Sequence, residues 1–203
     1  MTTANITQST KSLSKTVSCA LLLLSPLIST AAVPQKWQIN PQKTKVNFEV
    51  SYLKKSMIKG MFNKVEGTIN YDENKPQNTT VNFTVYTDSV DTDLKPRDYF
   101  IRRKELLNTQ QYPTIKFASS GAKLKNPREG NITGKFNALG QSKPMTVKVV
   151  LTDVYTQSKT QPSALKFKAT AMVNRHDFGV TAFPGIFGTT IPIIITGELI
   201  PAK

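Results

Sequence analysis

The sequence predicts an all-β fold: an antiparallel barrel of about eight strands, with one short helix between the third and fourth. Three observations lead there. Apolar and polar residues alternate with a period of two through most of the chain after Gln38. Clusters of Gly, Pro, Asn and Asp separate the alternating runs, and a single stretch carries helical spacing instead.

The elements follow in order. Residues 45–52 place Val46, Phe48, Val50 and Tyr52 on one face, with polar residues between them. Residues 58–71 are a weaker strand, with Val65, Ile69 and Tyr71 sharing a face. After the turn 72–76, residues 80–85 alternate again through Val81, Phe83 and Val85. The helical segment comes next. Asp93 is its expected cap, Pro96 sits in the first turn and Asp98 is an early acid. Tyr99, Phe100, Arg103, Leu106 and Leu107 then recur at helical spacing up to Asn108.

The second half holds residues 114–124 with Ile115 and Phe117, and residues 131–139 with Ile132 and Phe136. Residues 145–152 carry Val147 and Val149, residues 165–173 carry Phe167 and Ala169, and residues 191–200 close the chain, with Pro192 near their start. Strands with one wet face usually pair antiparallel. Such strands could pack as a flat sandwich or close into a barrel, and the barrel is favoured because closure removes exposed edges. The interior of such a barrel is either filled by its own side chains or holds one small ligand.

Composition narrows the function. The chain has 203 residues, Lys+Arg 27 against Asp+Glu 13, a net charge of +14, one Cys and one His. A disulfide scaffold and a Cys/His zinc cage are excluded, so no metal site is expected. Residues 1–32 read as a signal peptide that is removed, leaving residues 33–203 as a single domain. Lys11 and Lys15 form a basic start, Val17 to Ile28 is largely apolar, and Ser29-Thr30-Ala31-Ala32 offers small residues for cleavage. The apolar run is shorter than the ~20 residues a membrane span needs. Cys19 lies away from the cleavage point, against a lipoprotein. The leader therefore predicts export.

Specific residues now bring a family into view. Trp37-Gln38-Ile39-Asn40-Pro41 and Thr44-Lys45-Val46-Asn47-Phe48 come first, then Ile58-Lys59-Gly60-Met61-Phe62 and Val65-Glu66-Gly67-Thr68-Ile69. Ser89-Val90-Asp91-Thr92, Arg97-Asp98 and Tyr112-Pro113-Thr114-Ile115-Lys116-Phe117 follow. Leu139-Gly140-Gln141-Ser142-Lys143-Pro144 and Asn174-Arg175-His176-Asp177-Phe178-Gly179-Val180 complete the series, in register from Trp37 to Glu198. Together they resemble the YceI-like family of exported lipid-binding proteins. The resemblance implies a lipocalin-like barrel enclosing a polyisoprenoid or a quinone-type lipid. Histidines frequent in that family are missing around Pro41-Gln42-Lys43-Thr44 and after Arg97-Asp98, so no imidazole role is carried over.

The expected apolar lining is Val46, Phe48, Val50, Tyr52, Val65, Ile69, Phe83, Val85, Ile115, Phe117, Phe136, Val147, Val149, Phe167 and Ala169. The alternative is that these residues meet each other and leave no hollow. Arg97 is the candidate head-group contact, weighed against an internal salt bridge with Asp98 or Asp91. Around the sole histidine, Arg175 and Asp177 are expected in a buried, hydrogen-bonded cluster.

The leading expectation is a non-catalytic carrier or buffer of a long-chain amphiphile, with no cofactor beyond the bound lipid. Docking on an anionic membrane surface or a respiratory partner is the charge-based alternative. A hydrolase would need His176 and Asp177 beside Ser119 or Ser142, with no accompanying nucleophile elbow. Nucleic acid is not an expected partner, because Phe and Lys take opposite strand faces and export removes the encounter. Oligomeric state is left open, a homodimer included.

Overall fold

The computed structural model describes Met1 and residues 35–71, 75–158 and 161–202; the expected signal peptide falls almost wholly outside them. Among the described residues, eleven strands form one continuous antiparallel sheet. They are β1 (Gln35–Ile39), β2 (Lys45–Tyr52), β3 (Ser56–Phe62), β4 (Val65–Tyr71), β5 (Thr80–Tyr86) and β6 (Val90–Asp91) in the first half. Helix α1 (Lys95–Arg102) separates these from β7 (Thr114–Asn126), β8 (Glu129–Ala138), β9 (Gln141–Ser158), β10 (Gln161–Asn174) and β11 (Thr190–Pro201).

The ring β1-β4-β5-β7-β8-β9-β10-β11 closes because β11 returns to β1, with Ile39 opposite Leu199 and Trp37 opposite Pro201. Closure gives the eight-stranded barrel. β2, β3 and β6 continue β1, β4 and β5 beyond bends at residues 40–44, 63–64 and 87–89. β11 bridges the first bend, pairing Ile193–Thr196 with β2 and Leu199–Pro201 with β1. The expected first strand therefore begins earlier, at Gln35, and bends, because Asn40 to Lys43 form a turn held on both sides by β11.

Glu198 holds that bend. Its carboxylate accepts from Asn40 Nδ2 at 2.9 Å and from Lys43 Nζ at 3.1 Å, and its backbone N–H donates to Thr44 Oγ1 at 3.4 Å. Burial on its own pushes the Glu198 carboxyl up. The hydrogen bonds from Asn40 and Lys43 and the charges of Lys43 and Lys166 outweigh it and hold the group below its ordinary value.

The helix is shorter than its spacing suggests. Leu94, not Asp93, is the N-cap; Asp93 takes a left-handed φ of 61° and donates its N–H to Asp91 Oδ1 at 3.0 Å. The run ends at Arg102 because Arg103 turns to extended dihedrals, and the carbonyls of Ile101 and Arg102 are taken by Leu107 and Thr109. Asp98 anchors the element, its buried carboxylate accepting from Thr92 N at 2.8 Å and Thr92 Oγ1 at 2.6 Å. Trp37, Ile39, Val46, Phe62, Val65, Val85, Phe167 and Leu199 belong to one buried cluster along the inner wall.

Candidate ligand-binding cavity

The inner face does not fill itself. A cavity of about 540 Å³ runs inside the barrel, within the size range of small-molecule sites. It reaches from Trp37, Ile69 and Phe167 to the β7–β8 turn, where Pro127, Arg128 and Glu129 form its rim. A second cavity of about 200 Å³ lies under α1 and the segment 178–187. Phe62, Ile115, Phe136, Val173 and Ile193 line both, so they form a waist between two chambers.

Of the residues expected at the lining, Val46, Ile69, Phe83, Val85, Ile115, Phe117, Phe136, Val147, Val149, Phe167 and Ala169 face the larger chamber. Phe48 and Val50 face the smaller one. Tyr52 and Val65 line neither. Tyr52 lies at the far end of β2, 37% exposed, with its ring 5.7 Å from that of Phe187. Val65 is buried in the wall beside its strand partner Val85.

Sequence reasoning passed over Trp37, Thr79, Leu151, Leu165, Ile193 and Leu199, which also line the larger chamber. Strand parity signals some of them: Leu165 shares its parity with Phe167, and Ile193 with Ile195. Trp37 precedes the first alternating run, and Thr79 precedes its strand, so neither carries that signal.

Arg97 lines the smaller chamber, but neither Asp98 nor Asp91 forms the expected salt bridge with it. Its Nε donates to Thr92 Oγ1 at 2.8 Å and its Nη2 to Thr92 O at 2.5 Å. Thr92 can serve both partners because its hydroxyl donates to Asp98 while accepting from Arg97.

The cluster around the histidine is also corrected. Only Arg175 is buried; His176 and Asp177 are exposed. Arg175 donates to the carbonyls of Gly188 (3.0 Å), Val180 (2.6 Å), Ala182 (2.9 Å) and Phe187 (3.3 Å), which folds the loop 179–188 over the chamber. Burial pulls its pKa down from the ordinary value, yet a guanidinium stays charged. The Ser119 hydroxyl accepts from Val81 N at 2.7 Å. Among the described residues, no hydrogen bond joins His176 to Ser119 or Ser142.

Two polar atoms stand out in this apolar wall. Trp37 Nε1 and Thr79 Oγ1 are buried without a hydrogen-bond partner among the described residues, and both residues line the larger chamber.

Residues 37–199 match the YceI-like domain. Protein YceI of Salmonella newport is 32% identical over 184 residues, covering 89% of this chain and 95% of the relative. Burkholderia cenocepacia BcnA superposes with a TM-score of 0.70 at 20% identity, covering 81% of this chain and 99% of that one. A polyisoprenoid binding domain from Saccharophagus degradans gives 0.61 at 12% identity, over 82% of this chain and 98% of that one.

Proposed function

The chain belongs to the YceI-like family, and from that premise we propose that it is a periplasmic carrier or buffer of a long-chain amphiphile, acting without catalysis. The observation that carries this reading is the apolar hollow of about 540 Å³ within a closed barrel. The ligand class is supported by the Saccharophagus degradans relative, itself a polyisoprenoid binding domain. Withdrawing each methylene from water is worth about 0.8 kcal/mol, so a prenyl tail supplies a large driving force before the costs of ordering. The segment 1–32 acts as the export signal and is cleaved after Ala31 or Ala32.

The test is native mass spectrometry of protein recovered from the periplasm. A stoichiometric lipid mass that organic solvent removes, on a chain starting near Val33, supports the proposal. An empty barrel that takes up no prenyl lipid afterwards overturns it.

A second reading is docking on an anionic membrane surface, favoured by an excess of basic over acidic residues from which cleavage of the segment 1–32 removes only Lys11 and Lys15. It is compatible with carriage, since a lipid carrier must meet a membrane to load.

A further inference from the structure

We propose that the end of the barrel bearing α1 is the surface that touches an anionic lipid bilayer, and that the amphiphile enters there, by way of the smaller chamber. This inference rests on the carrier reading and adds to it the surface across which loading takes place.

Six of the nine large apolar side chains exposed among the described residues belong to this end: Tyr52, Leu53, Met57, Leu94, Tyr99 and Ile186, between 37% and 72% exposed. Single exposed apolar residues need no explanation, whereas a contiguous group marks a contact surface. Contacts beneath join the group. Leu53 N–H donates to the Ile186 carbonyl at 2.7 Å. The Tyr52 ring lies 5.7 Å from Phe187, Phe187 lies 5.9 Å from Phe183, and Phe183 lies 5.3 Å from Phe100, the neighbour of Tyr99 on α1. The β2–β3 hairpin, the loop 179–188 and the helix therefore form one rim.

The loop is held so that this rim stays apolar on its outside. Phe183 takes a left-handed φ of 58°, unfavourable for a bulky residue, and Arg175 binds the carbonyls of Ala182 and Phe187 on either side of it. Phe183 and Phe187 turn toward neighbouring rings, while Ile186 between them remains exposed.

Beneath the rim lies the smaller chamber, with Phe100 and Phe187 in its wall and the waist to the larger chamber below. β8 connects the two ends, from Gly130 at the larger chamber to Ala138 at the smaller, roughly 26 Å at about 3.3 Å per residue. At the far end the larger chamber meets Arg128 and Glu129, and Glu129 draws Lys125 and Lys148 to it. A tail leaving a bilayer thus meets apolar side chains at the α1 end and a charged fringe at the other.

Charge favours a lipid surface as the partner. Lys54 and Lys55 follow Leu53 at the hairpin tip, and Lys95 follows Leu94. All three are exposed and form no ion pair among the described residues; Asp93 is the exposed acid beside them. Apolar side chains and tyrosine flanked by lysine suit the head-group level of an anionic bilayer. Charge draws the barrel in over a Debye length, and the rim acts at contact.

Trp37, the sole tryptophan, lines the larger chamber, so a quenching ligand reports its own arrival there. A prenyl benzoquinone is offered in two ways: dissolved in vesicles of phosphatidylglycerol and phosphatidylcholine, or, with a short tail, as a soluble cyclodextrin complex. Uptake from vesicles is expected to quicken in proportion to vesicle concentration, as collision requires. Leu53→Gln combined with Ile186→Gln should slow that uptake about tenfold, and Tyr99→Gln, on a separate element, several-fold. Neither change should alter the final quenching or the uptake from cyclodextrin. Met172→Gln, an exposed apolar side chain on the outer face of β10, should leave both rates unchanged.

Equal slowing from both donors, or vesicle uptake that the rim variants leave unchanged, overturns the inference. So does a vesicle rate independent of vesicle concentration. Native protein that loads from cyclodextrin yet takes nothing from vesicles also overturns it, the result expected if the rim meets a protein instead. If the native protein is quenched with neither donor, the carrier reading fails, and this inference with it.

Discussion

At the scale of single residues, Glu198 shows how a charge is used to bend a strand. It sits under Asn40 and Lys43, opposite the turn that lets β1 and β2 pair with two stretches of the same partner strand. Its carboxyl is held below the ordinary value in the folded state, so the native protein retains the anion to lower pH than the unfolded chain does. That contribution is fully present at neutral pH and is lost as pH falls through the depressed native value. Glu198→Gln should accordingly lower the melting temperature at neutral pH by about 2–4 °C. The same variant should lose less than the native protein as pH falls from roughly 5 to 3. Thermal melts across that range check both parts. Parallel curves for the two proteins would show that Glu198 does not govern the acid limb.

At the scale of elements, the sheet depends on close backbone approach where β7 and β8 cross the bulge between Ser119 and Gly121. A Cβ on Gly134 would press on the carbonyl of Ala118 and come within 2.8 Å of both the Phe117 ring and Ser119 Cα. Gly121, on the facing strand, would meet only Thr133 Oγ1 at 3.8 Å. Gly134→Ala should therefore cost about 1–3 kcal/mol, as overpacking does. Gly121→Ala should stay within about 1 kcal/mol of the native protein. Urea midpoints distinguish the two, and equal losses would mean that β7 yields to the added methyl. The alternating strands themselves were legible because period-two patterning needs only one buried face. The bends were not. The alternation starts at Lys45, so no strand is legible before Asn40, and only the long-range pairing of Gln35–Ile39 with β11 and β4 shows one there. The helix cap was misread for a similar reason: Asp93 has the right chemistry for a cap but turns into a left-handed conformation beside Asp91.

At the scale of the whole molecule, parity told which residues face inward but not whether opposite walls touch. Strand number and closure set that distance, and closure is made by residues far apart in the chain, Ile39 with Leu199. The unpartnered donors Trp37 and Thr79 were invisible in sequence because a missing hydrogen bond is a property of three-dimensional surroundings. Charge, by contrast, was legible as a total, and the fold now gives it a place. Lys123 on β7, Lys135 on β8, Lys148 on β9 and Lys168 on β10 are exposed on the outward face of consecutive strands. Lys123 and Lys148 both stand opposite Asn131 of the strand between them. Glu129 draws Lys148 to 2.8 Å and Lys125 to 3.5 Å, a local offset too small to reverse the sign of the face. A basic lysine near an anionic bilayer contributes about 1 kcal/mol, and the effect fades within a Debye length of about 10 Å at 0.1 M salt. The protein should therefore sediment with vesicles containing phosphatidylglycerol, should ignore vesicles of phosphatidylcholine alone, and should be released as salt rises. Lys123→Glu combined with Lys168→Glu should weaken the binding by about tenfold or more, whereas Lys104→Glu, beyond the end of α1, should have a smaller effect. Binding that survives high salt, or that is equal on both kinds of vesicle, would mean that this face does not steer the barrel to the membrane.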